Sequence, residues 1–307
     1  MLKTTGEHNM EKRDEFSTYS PAVNIMFFAG AVIFGMFFIH PFFLGCSLLL
    51  SITYYISVRG RRAWPFISVM VLLLFAVSVI NPLFNTSGET VLFSLPGGRP
   101  YTLEALFYGM AVAAMFVSIM TWFASYSAVI TEDKLMYVMG RAAPALTMIL
   151  SMVFRLIPEY RRRIRIIREG RRCIGRDVRR RSRKGYAENG ISILSILFTW
   201  AFERGITTAD SMRSRGYGEK GRTRFSLYSA ERRDRLLLIF MGALMAVIIF
   251  CGLNGAARAV YVPSIEIQAA DNIYFAAGIS AYLVFLSIPA AINIKEEIIW
   301  RILRSGI

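Results

Sequence analysis

Acidic residues are scarce in this chain of 307 residues: 21 Asp and Glu face 36 Lys and Arg, leaving a formal charge of +15. Cysteine and histidine are scarcer, at 3 and 2 residues. Three cysteines cannot build a disulfide scaffold, and no Cys-x-x-Cys spacing occurs, so no structural disulfide is expected. His8 lies in a terminal tail and His40 at an expected turn, which gives neither the setting of a metal ligand. Paired carboxylates, a Ser/His pair and a phosphate-cradling glycine loop are all missing; Gly216-Tyr217-Gly218 is too short for a nucleotide loop without a strand before it. The expectation is a non-catalytic chain that binds no cofactor or metal itself. A cleavable leader is not expected either, because Glu11, Lys12, Arg13, Asp14 and Glu15 precede the first apolar run.

What is present is apolar surface. Hydrophobic residues make up 55% of the chain and the mean hydropathy is +0.45. That excludes a disordered chain and an ordinary soluble enzyme, and places apolar and basic character in different segments. Charge-free or nearly charge-free runs cover residues 21–58, 64–83, 103–130, 236–253 and 273–294. As a single helix the first would be about 57 Å long, against a hydrocarbon core of about 30 Å. It must fold back at His40-Pro41, where proline removes a donor and pushes its predecessor away from helical angles. The expected fold is therefore an all-α integral membrane protein of about six transmembrane helices, with a cytoplasmic domain of long amphipathic helices. None of the six carries a central Asp, Glu, Lys or Arg, which argues against a self-sufficient ion-driven carrier. Small residues recur in them, among them Gly30, Gly35, Gly45 and Gly109. They suit helix packing or a smooth surface that receives another membrane protein.

Residues 131–235 hold 25 Lys/Arg against 11 Asp/Glu, an excess of 14 in a chain of +15. The turn at Arg59, Arg61 and Arg62 is also basic, whereas residues 85–101 and 254–270 carry one Arg each, Arg99 and Arg258. With six spans, the basic segments and both termini fall on one side, the cytoplasmic side of a plasma membrane. The organisation reads as a tail over 1–20, helices 1–4 over 21–130, a cytoplasmic coupling-helix domain over 131–235, helices 5–6 over 236–294 and a tail over 295–307. Residues 86–101, with Val91-Leu92-Phe93 and Pro96-Gly97-Gly98, suggest a small outer hairpin.

The basic domain has internal order. Residues 135–156 have helical spacing around Pro144. Arg161, Arg162, Arg163, Arg165 and Arg168 interleave with Ile164, Ile166 and Ile167. The basic run continues through Arg181, Arg183 and Lys184, Gly185 to Gly190 breaks the pattern, and Ile191, Leu194, Phe198, Ala201 and Phe202 resume it. These helices are expected to be apolar towards each other and the spans, and basic towards water. Anionic membrane lipids suit many of the arginines, at about 1 kcal/mol per cation near the leaflet. Nucleic acid does not suit them, since no base-stacking or groove-reading motif is present. An acidic groove on a cytoplasmic protein is the third candidate. Ser214 and Gly216 leave room beside Arg215, whose planar fork binds a carboxylate with two hydrogen bonds, and two glycines stop the helix there.

Ala209-Asp210-Ser211-Met212-Arg213-Ser214-Arg215-Gly216-Tyr217-Gly218 resembles the second coupling motif of the transmembrane T components of energy-coupling factor (ECF) transporters, close to A-D-A-M-E-A-R-G-Y. Gly170-Arg171-Arg172-Cys173-Ile174-Gly175-Arg176-Asp177 resembles their first motif, close to A-Q-R-A-R-G-x-D. Ile80-Asn81-Pro82-Leu83-Phe84 with Gly88-Glu89-Thr90, and Leu150-Ser151-Met152-Val153-Phe154-Arg155-Leu156-Ile157-Pro158, resemble two further family segments in the same order. The likeness runs over about residues 21–250. It implies a subunit that joins two ATP-binding cassette (ABC) ATPases, which bind the ATP, to a small membrane S component that captures a vitamin or metal ion. Two coupling helices would cross, with their Ala-Arg-Gly-like ends in grooves of the two ATPases. ATP-driven closure would move those ends together. Two departures stand out. Ile174 occupies the place of the first-motif arginine, so either that site (Cys173, Ile174, Gly175) is degenerate or Arg176 takes its role. In the second motif Arg213 replaces an acid and Ser214 an alanine. Two spans follow the coupling domain, where many relatives have one. The alternatives are a conventional ABC permease with its own substrate path and a basic lipid-binding protein of the membrane surface.

Overall fold

The computed structural model describes residues 14–85, 88, 90–94, 100–175, 183–219, 231–257, 259–261, 266–267 and 273–305. In chain order the helices are α1 (Pro21–Phe37), α2 (Pro41–Arg59), α3 (Trp64–Phe84), α4 (Leu103–Val129), α5 (Glu132–Ala142), α6 (Pro144–Cys173), α7 (Arg183–Ser214), α8 (Arg232–Leu253) and α9 (Ile273–Ser305). Two antiparallel pairs of short strands accompany them, β1 (Val91–Ser94) with β2 (Pro100–Thr102) and β3 (Ala259–Val260) with β4 (Glu266–Ile267). The chain divides into two units, one of Met1–Leu135 with Tyr228–Ile307 and one of Met136–Leu227.

The first unit gathers the apolar helices. Pro41–Phe84, Leu103–Val129, Arg232–Leu253 and Ile273–Trp300 are each long and apolar enough to cross a membrane, and Pro21–Phe37 is a shorter apolar helix. Pro41–Phe84 contains α2 and α3, joined by a tight turn at Gly60, whose φ of 56° suits a residue without Cβ. The protein is an all-helical integral membrane protein. The break between α1 and α2 falls at His40-Pro41: His40 is extended (φ −80°, ψ 133°) and Pro41 opens α2, where a missing N–H costs nothing. The helix α9 continues without interruption through residues 295–305, the segment expected as a tail.

Aromatic rings fill this unit's core. Phe27 stacks on Phe285 at 5.3 Å and meets Trp122 edge-on at 5.5 Å; all three side chains are fully buried. Edge-to-face and offset arrangements match the positive rim of one ring to the negative face of another. Gly109 lets α3 and α4 approach: a Cβ there would lie 2.9 Å from the Ser78 carbonyl oxygen and 2.7 Å from Asn81 Cβ. Gly45, by contrast, has nothing within 4 Å of its Cβ position. Packing therefore explains the first of these small residues and not the second. Trp122 Nε1 donates to Ser47 Oγ at 3.1 Å, and Ser47 and Ser118 share a hydrogen bond of 2.6 Å between α2 and α4. Such pairs hold helices together where apolar burial offers no preference over lipid.

Near the start of the described chain, a polar clamp ties that segment to α1, α2, α4, α5 and α9. Asp14 accepts from Tyr54 Oη at 2.9 Å and from Asn293 Nδ2 at 2.6 Å. The next residues form a 3-10 turn, Glu15–Thr18, that buries Phe16. Lys134 Nζ donates to the Ser17 carbonyl and, at 3.0 Å, to the Val129 carbonyl. With the Asn24 amide turned to satisfy both neighbours, its oxygen accepts from Lys134 Nζ at 3.1 Å. Burial pushes the Lys134 ammonium below its ordinary pKa, opposed by attraction to Asp14. Glu104, which is buried, accepts from the Thr90 backbone N–H at 3.1 Å and from the Thr90 hydroxyl, closing β1 and β2 over the first turn of α4.

Candidate functional site

The second unit is made of α6, α7 and most of α5. Ala143 (φ −141°, ψ 77°) separates α5 from α6, because the Pro144 ring clashes with a helical predecessor. Pro144 thus opens a helix instead of lying inside one. Another expectation needs correction. Gly185 and Gly190 do not break the pattern: α7 runs through both. A glycine costs a helix only about 1 kcal/mol relative to alanine, and the apolar positions that follow hold α7 together.

Three contacts set how α6 and α7 pair. Arg171 donates to Ser192 Oγ. The Arg163 guanidinium lies 5.4 Å from the centre of the Trp200 ring, which also meets Tyr160 edge-on at 5.5 Å. Arg204 pairs with Glu159 at 3.3 Å. As residue numbers fall on α6 they rise on α7, so the helices are antiparallel. Antiparallel pairing puts their C-terminal tips at opposite ends. The rise of α7 from Ser192 to Ser214 separates the tips by roughly 33 Å at about 1.5 Å per residue.

Both tips are finished in the same way. At the end of α7 the Tyr217 N–H donates to the Met212 carbonyl and the Gly216 N–H to the Arg213 carbonyl, each at 3.1 Å, while Gly216 has φ +74°. This is a Schellman stop, with Arg215 as the capping residue and Gly216 in the left-handed position that a side chain would strain. Ser214 turns its hydroxyl back to the Ser211 carbonyl at 3.0 Å. Arg215 is exposed. At the end of α6, Gly175 has φ +71° and its N–H donates to the Arg172 carbonyl at 3.0 Å, leaving Ile174 in the capping place. Cys173 is exposed and free, and Ile174 is 68% exposed. Ile174 and Arg215 are thus equivalent positions with different side chains. Arg176 lies outside the described residues.

The faces of the pair differ from the expected arrangement. Trp200 of α7 faces α6 and Ile193, two turns before it, is buried, whereas Ile191, Leu194, Phe198, Phe202 and Ile206 are exposed. The apolar row does not face the neighbouring helix. Leu146, Ile149, Val153 and Ile157 form a second exposed row on α6. No residue of α6 is buried, so these rows are surfaces awaiting cover. Among the described residues, no group of three or more His, Cys, Asp or Glu is placed to hold a metal ion.

The sequence pointed to neither Trp200 nor the Asp14–Lys134 clamp. Trp200 stood among apolar residues with nothing to mark it as the pairing residue, and the clamp unites positions more than 270 apart in the chain. No protein-family model matches the chain, and no curated protein matches it in sequence.

Proposed function

We propose that this chain is the transmembrane energy-coupling subunit of an ECF-type ABC importer. In this reading both termini and the second unit lie in the cytoplasm, the first unit lies in the plasma membrane, and two ABC ATPases hold the ends of the α6–α7 pair. ATP binding and hydrolysis belong to those partners, and the chain itself is not an enzyme and carries no cofactor. Movement of the two tips passes along the helices to a small membrane S component, which chooses the vitamin or metal ion. The observation that carries the reading is the pair of glycine-stopped tips at opposite ends of one antiparallel helix pair, with Arg215 exposed at one of them. Two separated tips suit two separate ATPases. An exposed guanidinium next to a residue without a side chain suits entry into a narrow acidic groove. The exposed apolar rows of α6 and α7 suit cover by membrane or by the S component.

Purification of the full chain from its native membrane tests this. The expected companions are two ATPases and a small integral membrane protein. ATPases with a soluble binding protein would instead favour a conventional permease. ATP hydrolysis by the purified chain alone would overturn the proposal.

A further inference from the structure

The chain crosses between its two units twice, after Leu135 and after Leu227. On the first unit's side, each crossing lies close to the first turn of a helix. Lys134 is the third residue of α5, and Arg233 is the second of α8. Both are held by the same short segment, residues 14–19.

Lys134 meets that segment at the Ser17 carbonyl. The Val129 carbonyl at 3.0 Å and the turned Asn24 amide oxygen at 3.1 Å complete three bonds for an ammonium with three donors. Val129 is the last residue of α4, so the cation that grips Ser17 also sets the turn between α4 and α5. A buried ammonium with every donor satisfied is hard to release, because each lost partner leaves a desolvated group behind. At the other crossing the Arg233 guanidinium lies 5.1 Å from the centre of the Tyr19 ring, and its Nε pairs with Glu231 at 2.9 Å. Glu231 and Asp234 cap α8 reciprocally, so the stack on Tyr19 locates the whole first turn.

The segment between these two grips is stiff. The Ser17 N–H donates to the Asp14 carbonyl at 3.0 Å and the Tyr19 N–H to the Phe16 carbonyl at 3.3 Å. Phe16 is a peg, fully buried and edge-on to Phe27 at 5.4 Å. Its N–H donates to Asn293 Oδ1 at 3.3 Å, and the Asn293 amide nitrogen reaches Asp14. Ser17 and Tyr19 are therefore under about 8 Å apart, Cα to Cα, on one pegged turn. Lys134 cannot shift without pulling that turn, and Tyr19 shifts with it.

We propose that residues 14–19 are a yoke that binds the two crossings into one mechanical element. The starts of α5 and α8 then move together and carry α2 and α9 with them, through Tyr54 and Asn293. With two independent hinges, a pull on one crossing would be absorbed there. With a yoke it reaches several membrane helices at once, through contiguous packed and hydrogen-bonded groups. The use of the yoke as a transmission in energy coupling rests on the function proposed above; the yoke itself does not.

Amide hydrogen exchange on the full chain in nanodiscs tests this. Lys134→Met is expected to speed exchange at least about tenfold in residues 15–19 and 130–135, and at least about threefold at the opposite crossing, residues 231–236. Tyr19→Leu, a milder change to a half-buried ring, is expected to act most on 231–236 and still at least about threefold on 130–135. The double variant should exchange no more than about twofold faster at either crossing than the faster single variant, since residues of one unit are not additive. Ser47→Ala cuts the bridge between α2 and α4 and should leave both crossings within about twofold of the original chain. Changes confined to the substituted crossing, additive effects in the double variant, or equal loosening by Ser47→Ala would each overturn the yoke. If Lys134→Met does not insert, the response of 130–135 to Tyr19→Leu decides alone. In the native complex, Tyr19→Leu should keep the ATPases bound and lower uptake per ATP at least about fivefold. Undiminished coupling with loosened crossings would overturn the transmission. Absence of ATPases from that complex would refute the function proposed above and leave the exchange outcomes unchanged.

Discussion

The two ends of the α6–α7 pair share a backbone and differ in charge. Each helix stops at a glycine in the left-handed region, with φ of +71° at Gly175 and +74° at Gly216. The residue before that glycine is Ile174 at one end and Arg215 at the other. The backbone geometry makes a protruding, narrow tip; the capping side chain decides what it can hold. An isoleucine at such a tip offers apolar contact only, while an arginine offers a directional charge. If both tips meet equivalent ATPases, their attachments are unequal.

The strongest way to break the comparison is Arg215→Ala. Truncating one partner of a buried charge pair costs about 2–5 kcal/mol, so ATPase retention on the purified complex should fall by at least tenfold, with expression and helicity unchanged. Undiminished retention and uptake would count decisively against Arg215 as the coupling contact. Next in size is Trp200→Ala. It removes the ring between Tyr160 and Arg163 and should cost the helix pair about 1–2 kcal/mol. Hydrogen exchange along α6 and α7 should accelerate while α2 and α4 stay protected; unchanged exchange would show that Trp200 does not hold the pair.

Gly175→Ala and Gly216→Ala sharpen the comparison because they apply one strain to both tips. Each should cost its helix end about 1 kcal/mol, seen as equal fraying by hydrogen exchange. Only Gly216→Ala should also reduce ATPase retention. Equal reductions would mean that Ile174 or its neighbours contribute as much as Arg215. Ile174→Arg should leave assembly intact or strengthen it, within about 1 kcal/mol, by making the tips alike. Loss of assembly in that variant would transfer the first contact to Arg176. The smallest effect belongs to Glu159→Gln, whose pair with Arg204 is half-exposed. It should cost about 0–1 kcal/mol and vanish at high salt; a larger, salt-independent loss in thermal unfolding would reveal a buried role.

Much of this was legible in the chain. Hydropathy located the apolar helices because lipid demands long uninterrupted runs. The turn at His40-Pro41 and the stop at Gly216 were readable because proline and glycine act on their own backbone. Pairing was not readable. Isoleucine, leucine and phenylalanine recur along α7 at helical spacing, and that spacing shows which residues share a face but not which face meets α6. The apolar residues were expected to face both the other helix and the spans, and of α7's residues Trp200 is the one whose ring meets α6. Gly185 and Gly190 misled for a related reason: a local cost of about 1 kcal/mol each is small beside the helix that follows.

By itself, then, the sequence determined an all-helical membrane protein with its charge gathered into one segment and a glycine-stopped end at Gly216 within it. Those properties depend on neighbours along the chain. Only the tertiary structure decided that Asp14 and Lys134 anchor the start of the described chain, that Ile174 and Arg215 are equivalent caps at opposite ends, and that Trp200 is the ring at which α6 and α7 meet. Each of those depends on residues far apart in the chain coming into contact, and a single helix's periodicity carries no record of its partner.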